Sequence, residues 1–150
     1  MYKISTFIEL PIAVSSRWES GNIPTLYGFN YNITVNLYSD ELDENGMVVD
    51  FKKMKKILHS YFDQYDHSMI LTADNPLVDV YKKNFETNGI DFERSRLFVW
   101  DENPTAEYMS RYWYEQVKKL FTENGINPKK LETTVEETSH NSVTYDGGLL

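Results

Sequence analysis

Glu137 is a carboxylate whose place in a predicted strand favours ligand binding. In the segment 131–138 alternate side chains point to opposite faces, and Glu137 shares a face with the less polar Leu131, Thr133 and Val135. Since a buried carboxylate without a partner is costly, this face favours a ligand with two parallel N–H donors, such as the 2-aminopyrimidinone edge of a pterin or guanine. The alternative is that Glu137 lies at the strand end and reaches water.

Residues that commonly bind zinc or act as nucleophiles are scarce. The chain has no cysteine, which excludes disulfides, thiolate zinc sites and cysteine nucleophiles. The three histidines, His59, His67 and His140, are far apart in sequence, so a metal site built on them would need carboxylates as well. His140 follows Glu137 closely and is a candidate for the same cleft. His59 lies within a predicted helix beside its apolar stripe, which favours a structural role.

The composition indicates an acidic globular protein. The 150 residues are 41% hydrophobic and 25% charged, and the formal net charge is −8. A chain of this charge repels phosphate backbones, which argues against a nucleic-acid partner. No segment approaches the ~20 apolar residues of a membrane span, and residues 1–10 lack the apolar core of a signal peptide. We therefore expect a cytoplasmic protein that does not bind membranes.

Hydrophobic periodicity predicts the elements that position these side chains. They are strands 2–14 and 28–39, a helix 51–65 capped by Asp50, a weaker helix within 74–89, an extended segment 95–100, a helix that begins at Asn103-Pro104, with Asn103 as its cap, and stops at Asn124-Gly125, and strands 131–138 and 142–146. Pro11 indicates an edge position or a bulge. Two strands, helices and two strands predict an α+β fold, with a mostly antiparallel sheet and helices on one face. No repeat or linker is visible, so we expect one domain, 1–150.

Five motifs in collinear order extend over most of the chain. They are Tyr27-Gly28-Phe29-Asn30-Tyr31, the segment 46–51 before the first helix, Asp66-His67, the segment 103–107 before the second helix, and 136–138 with Tyr145. Together they resemble the 6-pyruvoyl-tetrahydropterin synthase and 6-carboxytetrahydropterin synthase family. The resemblance implies the tunnelling fold (T-fold), a ββααββ unit. It also implies a homo-oligomer, a trimeric barrel or a hexamer of two barrels, with sites between subunits.

The resemblance implies roles for individual residues. Glu137 matches the residue that anchors the pterin ring, which agrees with the strand pattern, and Thr105 and Glu107 match residues near the pterin pocket. Asp66 and His67 match a pair that supports proton transfer, in which the aspartate orients the imidazole. Structural alternatives exist: first-turn helix chemistry for Thr105, a favourable charge at the helix N-terminus for Glu107, and a histidine at a helix C-terminus for His67.

The chain departs from the family at the zinc site. The family binds catalytic zinc through three histidines, and the matching positions here are Ser16, Tyr27 and Phe29. Phenylalanine cannot bind a metal, and serine and tyrosine are poor zinc ligands beside imidazole or thiolate. The position of the family's catalytic cysteine falls in the segment 21–26, which has no thiol, acid or base. We therefore expect no zinc cofactor, weak or absent synthase activity, and an aromatic wall that either packs or stacks on a flat ligand.

Three functions are compatible with these observations. The first is a synthase homologue without zinc that still binds a pterin or a related purine through Glu137. The second is a metal-free pterin enzyme of the dihydroneopterin aldolase type, for which Asp66, His67 and Tyr27 would supply acid–base groups. The third is a non-catalytic assembly subunit. The expected partners are a pterin-like small molecule and further copies of the chain.

Overall fold

The computed structural model describes residues 1–16, 25–148 and 150. The helices and strands of this part, in chain order, are β1 (Tyr2–Ser15), β2 (Tyr27–Ser39), α1 (Phe51–Phe62), β3 (Ser68–Thr72), α2 (Leu77–Thr87), β4 (Leu97–Trp100), α3 (Ala106–Glu123), β5 (Lys130–Thr138) and β6 (Asn141–Tyr145). The strands form one sheet in the order β4-β3-β1-β2-β5-β6. All three helices lie on one side of this sheet, which confirms the α+β prediction.

The sheet combines a four-stranded antiparallel part with two parallel strands at one edge. The pairs β1–β2, β2–β5 and β5–β6 are antiparallel, whereas β3 runs parallel to both β1 and β4. Sequence analysis missed β3 and gave β4 only as an extended segment, because runs of five and four residues are too short to show a strand period. With α2 between them, β3 and β4 form a β-α-β crossover that extends the predicted ββααββ unit.

Pro11 occupies a local edge of β1. The parallel partner β3 pairs only with residues 12–15 of β1, and the Pro11 carbonyl accepts a hydrogen bond from the His67 N–H at 3.0 Å. The N–H and C=O groups of one strand residue point toward the same neighbouring strand. The nitrogen of Pro11, which carries no hydrogen, therefore faces away from β2, at a position just before β3 begins to pair with β1. Proline at this position therefore removes no hydrogen bond between β1 and β2, in agreement with the predicted edge position.

The core lies between the sheet and the apolar stripes of α1 and α3. Along β2 the alternate residues Tyr31, Ile33, Val35 and Leu37 are buried, as the sequence alternation predicts. Trp113 of α3 is fully buried, and its indole makes edge contacts with two aromatic rings, Phe62 at 5.6 Å and Tyr65 at 5.4 Å between centroids. This packing fixes the position of α3 over the sheet.

The two main helices begin at capping side chains. The Asp50 carboxylate accepts from the Lys52 N–H at 2.7 Å, which confirms the predicted cap of α1. For α3 the prediction of Asn103 as cap was wrong: the Thr105 hydroxyl accepts from the Tyr108 N–H at 3.2 Å. A residue before proline is disfavoured in helical geometry, so the chain stays extended until Thr105 and turns helical at Ala106.

Candidate ligand-binding site

A cleft of ≈ 410 Å³ opens between the start of α3 and the turn that joins β5 to β6. It is lined by two residues of α3 and by five from β5, the turn and β6, namely Ala106, Glu107, Glu137, His140, Asn141, Ser142 and Val143. The structure therefore brings together three residues singled out from sequence: Glu137, Glu107 and His140. The volume is in the range of small-molecule sites.

A β-bulge presents Glu137 to this cleft. Glu136 pairs with Ser142 and Thr138 pairs with Asn141, so Glu137 is the extra residue of β5. The side chain is half-buried at the end of the buried face of the strand. Burial raises the pKa of Glu137, and the negative charge of Glu107 raises it further. Among the described residues, none forms a hydrogen bond or ion pair with the Glu137 carboxylate.

Tyr31 lies beside Glu137, and sequence reasoning did not single out its hydroxyl. The side chain is fully buried, and its hydroxyl has no hydrogen-bond partner in the part of the chain that the structure describes. Burial, followed by the charge of Glu137, raises the pKa of Tyr31, so the phenol stays neutral and keeps its proton for donation. The sequence did contain one signal for this residue, because the alternation in β2 places Tyr31 on the buried face. In the sheet, β2 pairs with β5 up to Glu136, the residue before Glu137.

The three residues that sequence analysis matched to the family's zinc histidines form one cluster. The Ser16 hydroxyl lies 2.9 Å from the Tyr27 hydroxyl, and the rings of Tyr27 and Phe29 make an edge contact at 5.6 Å. Phe29 makes a second edge contact with Tyr31 at 5.5 Å. A hydroxyl, a phenol and a phenyl ring are not a zinc donor set, so the residues at these positions do not fit the metal.

Acidic and histidine side chains do not form a metal site elsewhere in residues 1–16, 25–148 and 150. In that part no group of three or more His, Cys, Asp or Glu side chains could hold a metal ion. Four of the six residues at the cysteine position, 21–24, lie outside the described residues. The aromatic contacts from Tyr27 to Tyr31 show packing at the zinc positions.

The Asp66–His67 pair is formed and exposed. Asp66 Oδ1 lies 2.9 Å from His67 Nδ1, and 79% of the His67 side chain is exposed. His67 has a positive φ of 55°, a conformation that costs roughly 1–3 kcal/mol outside glycine. The Arg96 guanidinium donates to the backbone carbonyls of Asp63, at 3.1 Å, and of Asp66. Together with the bond to Pro11, these contacts fix the strained backbone that presents the imidazole.

Within one chain the Asp66–His67 pair and Glu137 do not share a cleft. His67 precedes β3, and β1 and β2 lie between β3 and β5 in the sheet. Three strand spacings separate the two sites by roughly 14 Å. His67 lines a different depression, with Phe29 and Asn30 among its neighbours.

The other candidate residues have structural contacts. The Thr105 hydroxyl caps α3, and Glu107 lies in the first turn of that helix, where a negative charge is favourable. Both structural alternatives therefore occur, and the roles of these residues in ligand binding stay predictions. His59 pairs with Asp63 one turn along, with 2.8 Å between Nδ1 and Oδ1, as a structural residue would.

Comparison with known proteins identifies the family. A family model described as 6-pyruvoyl tetrahydropterin synthase matches residues 3–148. The chain belongs to this family. This result confirms the family membership inferred from the five motifs, and it covers all the residues that form the cleft.

Curated relatives and solved structures agree with the assignment. The chain is 30% identical over 122 residues to 6-carboxy-5,6,7,8-tetrahydropterin synthase of Aquifex aeolicus, covering 80% of the chain and 73% of the relative. It is 24% identical over 136 residues to the Bacillus subtilis enzyme of the same name, covering 89% and 78%.

The structural neighbours show the fold. Protein WS1659 of Wolinella succinogenes has a TM-score of 0.77 at 20% identity and covers 98% of each chain. The 6-pyruvoyl tetrahydropterin synthase of Plasmodium vivax has a TM-score of 0.70 at 16% identity, over 97% of this chain and 98% of that one. These similarities confirm the predicted tunnelling fold. In addition, no helix among the described residues is long and apolar enough to cross a membrane.

The raised pKa of Glu137 predicts how stability depends on pH. The unfolded chain releases this proton near the ordinary value of 4.5, whereas the folded chain holds it to higher pH. The stability that this carboxyl group contributes therefore falls as pH rises from about 4.5 through the higher folded value, and the loss remains at neutral pH. Glu137→Gln should increase the free energy of unfolding at pH 7 and have little effect at pH 4.

Urea unfolding at several pH values measures this difference. In a Glu107→Gln background, which lacks the repulsion but leaves Glu137 half-buried, the substitution Glu137→Gln should give a smaller gain of the same sign. An equal free energy of unfolding for the wild type and Glu137→Gln from pH 4 to pH 8 would contradict the desolvation of this carboxylate.

Proposed function

We propose that this member of the family binds a pterin, or a purine such as guanine, through Glu137 and does not carry out the standard zinc-dependent synthase reaction. The observation that carries the proposal is the half-buried Glu137 carboxylate, which faces a cleft and has no bonded partner among the described residues. A buried carboxylate of this kind is stabilised by a ligand that supplies the missing donors.

The chemistry of the cleft favours a heterocycle with two adjacent N–H groups. One carboxylate accepts two parallel hydrogen bonds, and bonds to an ionised acceptor are stronger than neutral ones. Glu107 adds a second negative charge to the cleft, which disfavours an anionic group at this end of the ligand. A 2-amino group beside a ring N–H, as in pterin and guanine, supplies paired donors without a negative charge.

The zinc positions support the second half of the proposal. Ser16, Tyr27 and Phe29 offer one hydroxyl, one phenol and no third donor, and two of these groups already contact each other. In the family, zinc polarises oxygen atoms on the substrate side chain. Without that donor set, the Asp66–His67 pair could contribute only the 10²–10⁴-fold typical of acid–base catalysis.

Free strand edges support assembly into a ring. In the described part of the chain, residues 2–11 of β1 pair with β2 on one side and with no strand on the other side. In the same part of the chain, β6 pairs with β5 on one side and with no strand on the other. Since β1 and β6 run in opposite directions, β6 of one copy can pair antiparallel with β1 of the next. We propose a homo-oligomer, a trimer or a hexamer, built from these edges.

Such pairing would place the two candidate sites beside each other. β3 begins where the free part of β1 ends, so it limits how far a neighbouring β6 can extend. The turn before that β6, which contains His140, would then lie next to the Asp66–His67 pair of the adjoining copy. A site between subunits would thus combine the anchor of one copy with the imidazole of another.

The Asp66–His67 geometry also favours a second candidate function. An aspartate 2.9 Å from an exposed imidazole is an acid–base pair that needs no metal, and the Tyr27 phenol is a further proton donor. These groups are compatible with a metal-free pterin enzyme of the dihydroneopterin aldolase type. This reaction would use the same Glu137 anchor for the ring.

The anchor predicts the effect of one substitution on ligand affinity. Glu137→Ala removes both acceptor oxygens, so its affinity for a pterin should fall at least tenfold, the effect of losing bonds worth about 1.5 kcal/mol or more. Quenching of pterin fluorescence on titration with protein measures the affinity. Glu136→Ala, on the opposite face of the same strand, is the matched control and should bind like the wild type. Equal affinity for Glu137→Ala would contradict the anchor, and a wild type that binds no pterin would favour the assembly subunit.

The donor set predicts the zinc content. The wild-type protein, dialysed against zinc and then against buffer, should keep far less than one zinc per protomer by elemental analysis. The triple variant Ser16→His, Tyr27→His and Phe29→His restores three imidazoles and should keep close to one. One zinc per wild-type protomer, together with turnover of dihydroneopterin triphosphate, would contradict the proposal.

The aldolase alternative has its own assay. If the pair is catalytic, the wild type should cleave dihydroneopterin in the retroaldol direction without added metal, and His67→Ala should reduce the rate 10²-fold or more. His59→Ala, which changes an exposed histidine on α1, is the control and should keep the full rate. No retroaldol product from a wild type that binds pterin would rule out this second function.

A further inference from the structure

We propose that His140 determines ligand specificity by donating a hydrogen bond to the 4-oxo group of a 2-amino-4-oxo heterocycle bound at Glu137. The inference rests on the proposed function and goes further, since it assigns a residue to the next polar atom of the ligand. His140 lines the same cleft of ≈ 410 Å³ as Glu137, and no hydrogen bond or ion pair joins the two side chains among the described residues.

The turn between β5 and β6 fixes the position of His140. The His140 backbone N–H donates to the Thr138 hydroxyl at 3.2 Å, and the imidazole Nδ1 lies 3.2 Å from the Ser139 hydroxyl. The tautomer of a histidine is set by the bond that its other ring nitrogen makes. The Ser139 hydroxyl can donate to Nδ1, and in that tautomer the neutral ring carries its proton on Nε2, which has no partner among the described residues.

The ligand requires a donor at this place. When a carboxylate binds the 2-amino group and the adjacent ring N–H, the next atom along the ring edge is the 4-oxo acceptor. Glu107 is an acceptor when ionised, and Ala106 and Val143 have no polar side-chain atoms. A donating Nε2–H on His140 supplies the missing bond.

Two other donor side chains line the cleft, and the strand geometry favours His140 over both. Ser142 pairs with Glu136, on the face of the sheet opposite Glu137. Asn141 is held in the ladder opposite Thr138, and its amide extends less far from the backbone than an imidazole. His67 of the same chain lies at least roughly 14 Å away, across three strand spacings, and a His67→Ala variant that keeps the oxo preference would exclude the imidazole of an adjoining copy as the donor.

A matched pair of ligands isolates this contact. Pterin and its 4-thio analogue share the 2-amino and ring N–H donors that Glu137 would bind, but sulfur is a weaker acceptor than oxygen. One neutral hydrogen bond is worth about 1 kcal/mol, so the wild type should prefer the oxo ligand about fivefold. Isothermal titration calorimetry measures both affinities.

Variants of the turn separate the possible donors. His140→Ala should lower the oxo-to-thio affinity ratio about fivefold relative to the wild type, because only the oxo ligand loses a hydrogen bond. Ser139→Ala should lower the ratio less, by freeing the tautomer. His140→Asn retains a donor and should restore part of the preference, which a merely structural role would not produce. His59→Ala, which lies outside the cleft, is the control and should keep the wild-type ratio, and Asn141→Ala tests the competing amide.

The result also distinguishes the two proposals. If the wild type binds pterin and Glu137→Ala does not, but His140→Ala keeps the oxo preference, the anchor stands and the role of His140 is wrong. Loss of the preference in Asn141→Ala alone would assign the contact to that amide and overturn the inference. A wild type that binds neither ligand would overturn the proposed function itself.

Discussion

The desolvation of the Glu137 carboxylate is the interaction on which the account of this protein depends. The fold half-buries this group, places Glu107 opposite it and provides no bonded partner among the described residues. Each of these features raises the free energy of the ionised side chain. In the function we propose, a ligand with two N–H donors would offset that cost, and an unfavourable feature of the free protein would become a source of ligand affinity.

The surrounding elements produce this arrangement by ordinary means. The pairing of β5 with β2 sets which face is buried, and the bulge next to Thr138 turns Glu137 toward the cleft. The Thr105 cap fixes the first turn of α3 and with it Glu107. On the same face, the rings of Tyr27 and Phe29 pack against each other at two of the three positions that sequence analysis matched to the family's zinc histidines. The chain has the fold of the family, and the anchor role of Glu137 and the absence of zinc are what we propose.

Much of this could be predicted from the sequence, because the signals were long or repeated. The alternation in β2 and the stripe of α3 extend over many residues, and strand parity alone placed Glu137 on the buried face. The strand β3 is too short to show the alternation of apolar and polar residues that identifies a strand. The cap of α3 lies two residues after the predicted one. The separation of His67 from Glu137 depends on the order of strands in the sheet, which no local pattern contains. Tyr31 was visible as a core residue, but only the packing around it shows that its hydroxyl has no hydrogen-bond partner among the described residues.

The most direct test is a crystal structure of the protein grown with both zinc and a pterin, with data collected at the zinc absorption edge. The account predicts pterin density with its 2-amino and ring N–H edge on Glu137, and no anomalous peak among Ser16, Tyr27 and Phe29. An anomalous peak among these three side chains, or a pterin bound away from Glu137, would contradict it.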